Sequence, residues 1–164
     1  MKPGAGECKN MTRIIYATTE AHYQSARELF IQYGDSLGFD LEFQDFSREL
    51  AGLPGNYAEP AGCILLAEAA EGYAGCVALR PLQDRICEMK RLYVLPAYRK
   101  DGTGRLLASA VIDEARKKGY LKMRLDTIAS MKAAKKLYVS LGFETIDAYC
   151  YNPLENPSFM ELKL

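Results

Sequence analysis

The stretch ICEMKRLYVLPAYRKDGTGRLL, Ile86 to Leu107, decides the fold of this chain. Its first part, up to Leu95, is rich in strand-forming residues and runs into Pro96, which cannot continue a ladder. A short basic turn follows, Arg99-Lys100-Asp101-Gly102-Thr103-Gly104, and a helical pattern starts at once. Two glycines at a helix start leave several N–H groups without intrahelical partners and put no side chain in front of them. The aligned peptide dipoles add roughly half a positive charge at that end. Arg99, Lys100 and Arg105 add full charges beside it, so the turn is an anion site.

Two other phosphate loops are excluded by spacing. A Walker loop needs Gly-Lys-Ser/Thr five residues after a first glycine, and no such run occurs. A dinucleotide fingerprint needs a third glycine where this chain has Leu107. What remains, Arg99-x-x-Gly102-x-Gly104 between a strand and a helix, resembles the acetyl-CoA signature of the GNAT family of N-acetyltransferases. Leu92-Tyr93-Val94-x-Pro96-x-Tyr98-Arg99 is similar to the strand and elbow that precede that loop. Ala134-x-x-Leu137-Tyr138-x-x-Leu141-Gly142-Phe143 resembles the family's second signature, a helix ending in Gly-Phe.

The resemblance implies an acyl-CoA N-acyltransferase fold of mixed α/β class. In it a mostly antiparallel sheet of about seven strands, flanked by about four helices, is splayed between the fourth and fifth strands. It implies acetyl-CoA as cosubstrate and no metal. The pyrophosphate would lie on Arg99, Lys100, Asp101, Gly102, Thr103, Gly104 and Arg105, and the pantetheine arm on main-chain groups of Leu92, Tyr93 and Val94. Glu88, eleven residues before Arg99, matches the place of a catalytic glutamate in some members. Tyr138 stands where the family has the tyrosine that protonates the leaving sulfur. One departure is Met131, where many relatives carry an asparagine that touches the cofactor arm.

Chemistry gives the same two residues their reasons. An alkyl ammonium has a pKa near ~10, so a carboxylate such as Glu88 is needed to take its proton at neutral pH. A phenol such as Tyr138 can donate to a developing thiolate because their pKa values, ~10 and ~8.5, are similar. Each also has a purely structural reading, Glu88 as a strand charge paired with Lys90 and Tyr138 as core. By the two-residue period Glu88 shares a face with Lys90, Leu92 and Val94.

Outward from this stretch the chain reads as one domain, residues 11–164, after a lead-in of ten residues expected to be disordered. At 164 residues, about half of them hydrophobic, it can bury a core without staples. Lys plus Arg and Asp plus Glu number 21 each, so no global field recruits nucleic acid or an anionic membrane. Five cysteines without CxxC spacing and a single histidine suit neither a zinc site nor a disulfide framework. Reduced thiols fit a cytoplasmic protein, and no apolar run approaches the length of a membrane span.

The spacing predicts a first strand over 11–17, a helix over 21–33 interrupted at Gly34 and Gly38, and a second helix over 41–51 with Phe43, Phe46 and Leu50 on one face. The Gly/Pro-rich 52–62 reads as a loop, with Asn56, Tyr57 and Glu59 as candidate acceptor contacts. Strands over 63–68, 73–80 and 85–95 are joined by links too short to cross over, hence antiparallel. A helix over 102–118 then returns the chain to a strand over 120–126, parallel to 85–95. Such a pair can part at its carboxyl ends and admit a ligand. Asp126 and Thr127 end that strand near the opening, as candidate contacts to cofactor or acceptor or as caps of the turn toward Ser130. A helix over 131–141, capped by Ser130, precedes a terminal hairpin of 143–151 and 158–164.

Two functions fit. One is an acetyl-CoA-dependent N-acetyltransferase working by direct transfer to a primary amine of a small molecule or protein. The other is a non-catalytic acyl-CoA-binding sensor or regulatory module, which would require neither Glu88 nor Tyr138. The acceptor is not readable, and neither is whether the chain forms the homodimer common in such folds.

Overall fold

The structure is a computed structural model that describes residues 12–164; the ten-residue lead-in lies outside the described residues. Seven strands form one sheet in the order β1-β2-β3-β4-β5-β7-β6. They are β1 Arg13–Tyr16, β2 Cys63–Ala69, β3 Gly72–Gln83, β4 Ile86–Val94, β5 Lys122–Ile128, β6 Glu144–Ile146 and β7 Pro157–Lys163. Every neighbouring pair is antiparallel except β4 and β5. The four α-helices among the described residues are α1 Glu20–Leu37, α2 Phe46–Ala51, α3 Thr103–Lys117 and α4 Lys132–Ser140.

The sheet separates two cores. Leu107, Val111 and Ala115 of α3 and Tyr138 of α4 pack with Val77, Met89 and Met123 on one side. Ala26, Leu29 and Phe30 of α1 pack with Ile64, Leu66 and Cys76 on the other. Both helix and strand periodicities in the sequence are therefore those of a sheet covered on each face.

Five local expectations change. Gly34 does not interrupt α1; it is a contact point, since a Cβ there would stand 3.1 Å from the Phe46 ring. Helix α1 ends instead at Gly38, which takes the left-handed conformation. The helix expected over 41–51 is broken, because Asp45 has φ 58 and divides a 3-10 turn, Glu42–Gln44, from α2. The strand over 143–151 shrinks to Glu144–Ile146, and α4 begins after Met131 without a side-chain cap from Ser130.

The fifth change concerns β4. Cys76 pairs with Tyr93 and Ala78 with Lys90, so Val77 alone faces two residues, Arg91 and Leu92. This is a β-bulge, with Arg91 at φ 58. It reverses the alternation. Leu92 and Val94 join Cys87 and Met89 against the α3 core, while Tyr93 joins the α1 core. Glu88 and Lys90 therefore do not share a face with Leu92 and Val94.

Candidate active site

Strands β4 and β5 pair only at Ile86–Lys122, Cys87–Met123 and Glu88–Arg124. Beyond that point β4 bonds only to β3 and β5 only to β7. The gap between them is an opening lined by Met89, Leu92, Leu125, Thr127, Met131 and Tyr138, among others. Main-chain groups of β4 after Glu88 face it without a strand partner. Of these the Val94 carbonyl accepts from Arg99 Nε at 3.0 Å.

The start of α3 lies beside the end of β4, with Gly104 next to Val94 and Leu137. Gly102 is its N-cap with φ 89 and ψ 3, and a Cβ there would meet nothing within 4 Å. That φ favours glycine, and the space in front is open. A Cβ on Gly104 would approach only Leu137 and Val94, at 3.8 Å. The first-turn N–H groups lack a side-chain cap, so the residues present fit a bound diphosphate. Thr103 is buried, with its hydroxyl on Asp101 Oδ1 at 3.2 Å. Arg99 folds over the Tyr93 ring, 5.6 Å from its centroid, and Arg105 Nη2 donates to Ser140 Oγ at 2.6 Å. Lys100 is exposed, with φ 70.

Tyr138 reaches the opening from α4, stacked edge-on against Phe143. Its hydroxyl bonds to no side chain among the described residues. Burial, with Tyr33 and Asp126 nearby, pushes the phenol well above its ordinary pKa. It is a protonated donor at neutral pH.

Glu88 lies beside a second cleft of about 230 Å³, which the opening meets at Gln44, Lys90, Arg91 and Asp126. It is 1% exposed and paired on both oxygens. Arg80 Nε donates to Oε1 at 2.7 Å and the Tyr149 hydroxyl to Oε2 at 2.6 Å, with Lys90 Nζ 4.0 Å from Oε1. Burial alone would raise its pKa, but the Lys90 and Arg80 charges and these hydrogen bonds prevail and hold the carboxyl below the usual range. Asp126, in contrast, borders both spaces. Lys90 Nζ is 3.8 Å from its Oδ1, and Asn152 Nδ2 donates to Oδ2 at 3.1 Å. Cys150 borders the cleft, its thiol pushed up to about 11 by burial, Asp126 and Glu88.

Arg91 ties the segment over this cleft to the bulge. It grips Glu49 through Nε and Nη2 and Gln44 through Nη1, all at 2.9 Å, and stacks under Phe46. Sequence reasoning missed this role and that of Gln44. The signal was a Lys-Arg pair inside an otherwise apolar strand, because buried cations require buried acceptors. Asn56, Tyr57 and Glu59 do not converge on the opening. Tyr57 is core with its hydroxyl on Glu49, and Glu59 pairs with Lys118.

One buried side-chain polar atom among the described residues has no hydrogen-bond partner, the Thr127 hydroxyl oxygen, and Thr127 lines the opening. No described helix is long and apolar enough to cross a membrane.

Comparison with known proteins supplies the family. The acetyltransferase (GNAT) family model matches residues 20–143. An N-acetyltransferase of Schizosaccharomyces pombe is 41% identical over 135 residues, spanning 81% of this chain and 83% of its own length. A GNAT acetyltransferase from Staphylococcus aureus Mu50 superposes with a TM-score of 0.79 at 20% identity, covering 93% of this chain and 99% of its own. The Salmonella typhimurium protein yncA, solved with its cofactor acetyl-CoA, has a TM-score of 0.69 at 22% identity and covers 94% of each chain. The two solved structures share the fold, and with the family match and the yeast relative they lead to one conclusion: the chain belongs to the GNAT family of acetyl-CoA-dependent N-acetyltransferases.

Proposed function

We propose that this protein acetylates a primary amine by direct transfer, with the acyl donor held in the β4–β5 opening and the amine entering from the cleft over Lys90 and Asp126. Acetyl-CoA, when bound, supplies the acetyl group as a thioester. The observation that carries the reading is that three features gather along the unpaired end of β4. They are unpartnered main chain on β4, an uncapped helix start at Gly102, and the free hydroxyl of Tyr138.

Each residue's part follows from its surroundings. The first turn of α3, with Lys100 and Arg105, holds phosphate charge, and Arg99 braces the end of β4. Leu92 and Tyr93 offer main-chain groups to the arm. Tyr138 holds a proton for the leaving sulfur. Asp126 receives the amine's proton, while Glu88, engaged on both oxygens by Arg80 and Tyr149, keeps its charge and flanks Lys90 from the other side. Asp126 borders both spaces, and Glu88, which borders the cleft alone, supplies the second negative charge. A thioester relay through Cys150 is disfavoured, since its thiol is protonated at neutral pH. Free thiols at Cys63, Cys76 and Cys87 favour a cytoplasmic setting.

The test is release of free thiol from acetyl-CoA against a panel of protein-lysine, amino-terminal, polyamine, amino-acid and aminoglycoside amines, with mass spectrometry of products. Amine-dependent release that Tyr138→Phe and Asp126→Asn reduce supports the assignment. Tight acetyl-CoA binding with no turnover on any amine would leave a sensor and refute it.

A further inference from the structure

Thr127 poses a problem that the fold alone does not solve. It lies on β5 beyond the last residue paired to β4, and it is 4% exposed. Its hydroxyl oxygen is buried with no donor or acceptor within reach. Buried hydroxyls are almost always bonded, and an orphan one destabilises the chain that carries it. By strand alternation it shares the face of Met123 and Leu125, toward α3 and α4. None of the residues that line the opening with it is its hydrogen-bond partner. Valine would fill the same volume without the desolvated oxygen.

We infer that the Thr127 hydroxyl is a ligand contact, donating a hydrogen bond to a carbonyl oxygen of the acyl-pantetheine arm lying between β4 and β5. A hydroxyl is suited to this, as it can rotate its proton toward a carbonyl on the arm. The pantetheine amides and the thioester present the same acceptor chemistry. The inference rests on the reading of the opening as the site of the acyl donor, but its first consequence concerns the free protein. In the unliganded chain the hydroxyl costs stability; in the complex it adds affinity. A threonine with no part in binding would cost stability and add no affinity.

The experiment compares wild type, Thr127→Val and Thr127→Ser as full chains, by thermal unfolding without ligand and by calorimetry with coenzyme A and with acetyl-CoA. Thr127→Val should melt about 2–4 °C higher than wild type when unliganded, as the unsatisfied group is removed. It should bind acetyl-CoA about 3- to 10-fold more weakly, the range of one neutral hydrogen bond. Thr127→Ser, which keeps the hydroxyl, should bind like wild type. Equal loss for both nucleotides assigns the bond to a pantetheine amide, and loss confined to acetyl-CoA assigns it to the thioester. A Thr127→Val protein that melts no higher, or that binds both nucleotides as tightly as wild type, overturns the inference. Failure of wild type to bind either nucleotide overturns the reading of the opening itself and this inference with it.

Discussion

Replacing Arg91 with alanine tests whether a single buried guanidinium holds the acceptor side of the site together. The Arg91 side chain is 2% exposed and that of Glu49 14%. Truncation removes two 2.9 Å bonds to Glu49 and one to Gln44, and leaves the Glu49 carboxylate nearly buried with only the Tyr57 hydroxyl. Breaking a buried pair from one side costs about 3–5 kcal/mol. In a domain of this size each kcal/mol lowers Tm by about 2–4 °C, so the loss should be about 6–20 °C. Arg91 also sits at φ 58, where a side chain is disfavoured by at least about 1 kcal/mol. Arg91→Gly should therefore be about 1 kcal/mol more stable than Arg91→Ala. Adding Glu49→Gln to Arg91→Ala should recover part of the loss, because no bare charge then remains. Urea unfolding of these proteins beside wild type decides the matter. A loss below about 1 kcal/mol for Arg91→Ala, or a glycine variant weaker than the alanine one, would refute the clamp and the left-handed bulge respectively.

Other outcomes follow from the same geometry. Tyr138→Phe should lower kcat by about 10²-fold while calorimetric acetyl-CoA affinity stays near wild type, since the ring remains in the core. Gly102→Val should weaken acetyl-CoA by tenfold or more in the same assay, as it burdens a residue at φ 89 and covers open space before the helix start. Glu88 has a lower pKa folded than unfolded, so its stabilisation is complete above the ordinary carboxylate value near ~4.3 and is lost as pH falls through the folded value. Glu88→Gln should accordingly flatten the acid limb of a plot of Tm against pH, and an unchanged limb would contradict its pairing. The cleft holds Arg80, Lys90 and Arg91 against Glu49, Glu88 and Asp126, so a bound ammonium is uncompensated and the neutral amine is favoured. The kcat profile should then rise with a midpoint below the amine's solution pKa near ~10, measured at saturating substrates.

The fold was legible where its determinants are local. Pro96, the Gly102–Gly104 turn and the Leu107–Val111–Ala115 stripe set a strand, a helix start and a right-handed return, and from these the parallel β4–β5 pair follows. Gly142 after Tyr138 likewise marked the end of α4. What stayed hidden depends on distant partners. Gly34 reads as a break until the Phe46 ring is known to rest on it. Glu88 reads as an open base until Arg80 and Tyr149, 8 and 61 residues away, close on its two oxygens. Asp126 reads equally as a contact at the opening or a cap of the next turn until Lys90 and Asn152 approach it from other elements. No spacing rule in the chain encodes those meetings.

The bulge at Arg91 explains why so much of the site hangs on one irregularity. With regular alternation, residues 88, 90, 92 and 94 would share one face, and 87, 89, 91 and 93 the other. Glu88 and Lys90 would then carry Leu92 and Val94 into the polar cleft, and Arg91 would enter the apolar core beneath α3 beside Met89. Inserting one residue opposite Val77 lets Leu92 and Val94 return to that core. It leaves Glu88, Lys90 and Arg91 together on the cleft side, where the carboxylates of Glu49 and Asp126 can meet them. A bulge also bends its strand. Pairing with β5 ends at Glu88, just before the bulge, so the irregularity that sorts the side chains also turns β4 away from its parallel neighbour. Charge placement and the opening thus have a common origin in the backbone, and a substitution that straightened β4 would disturb both at once.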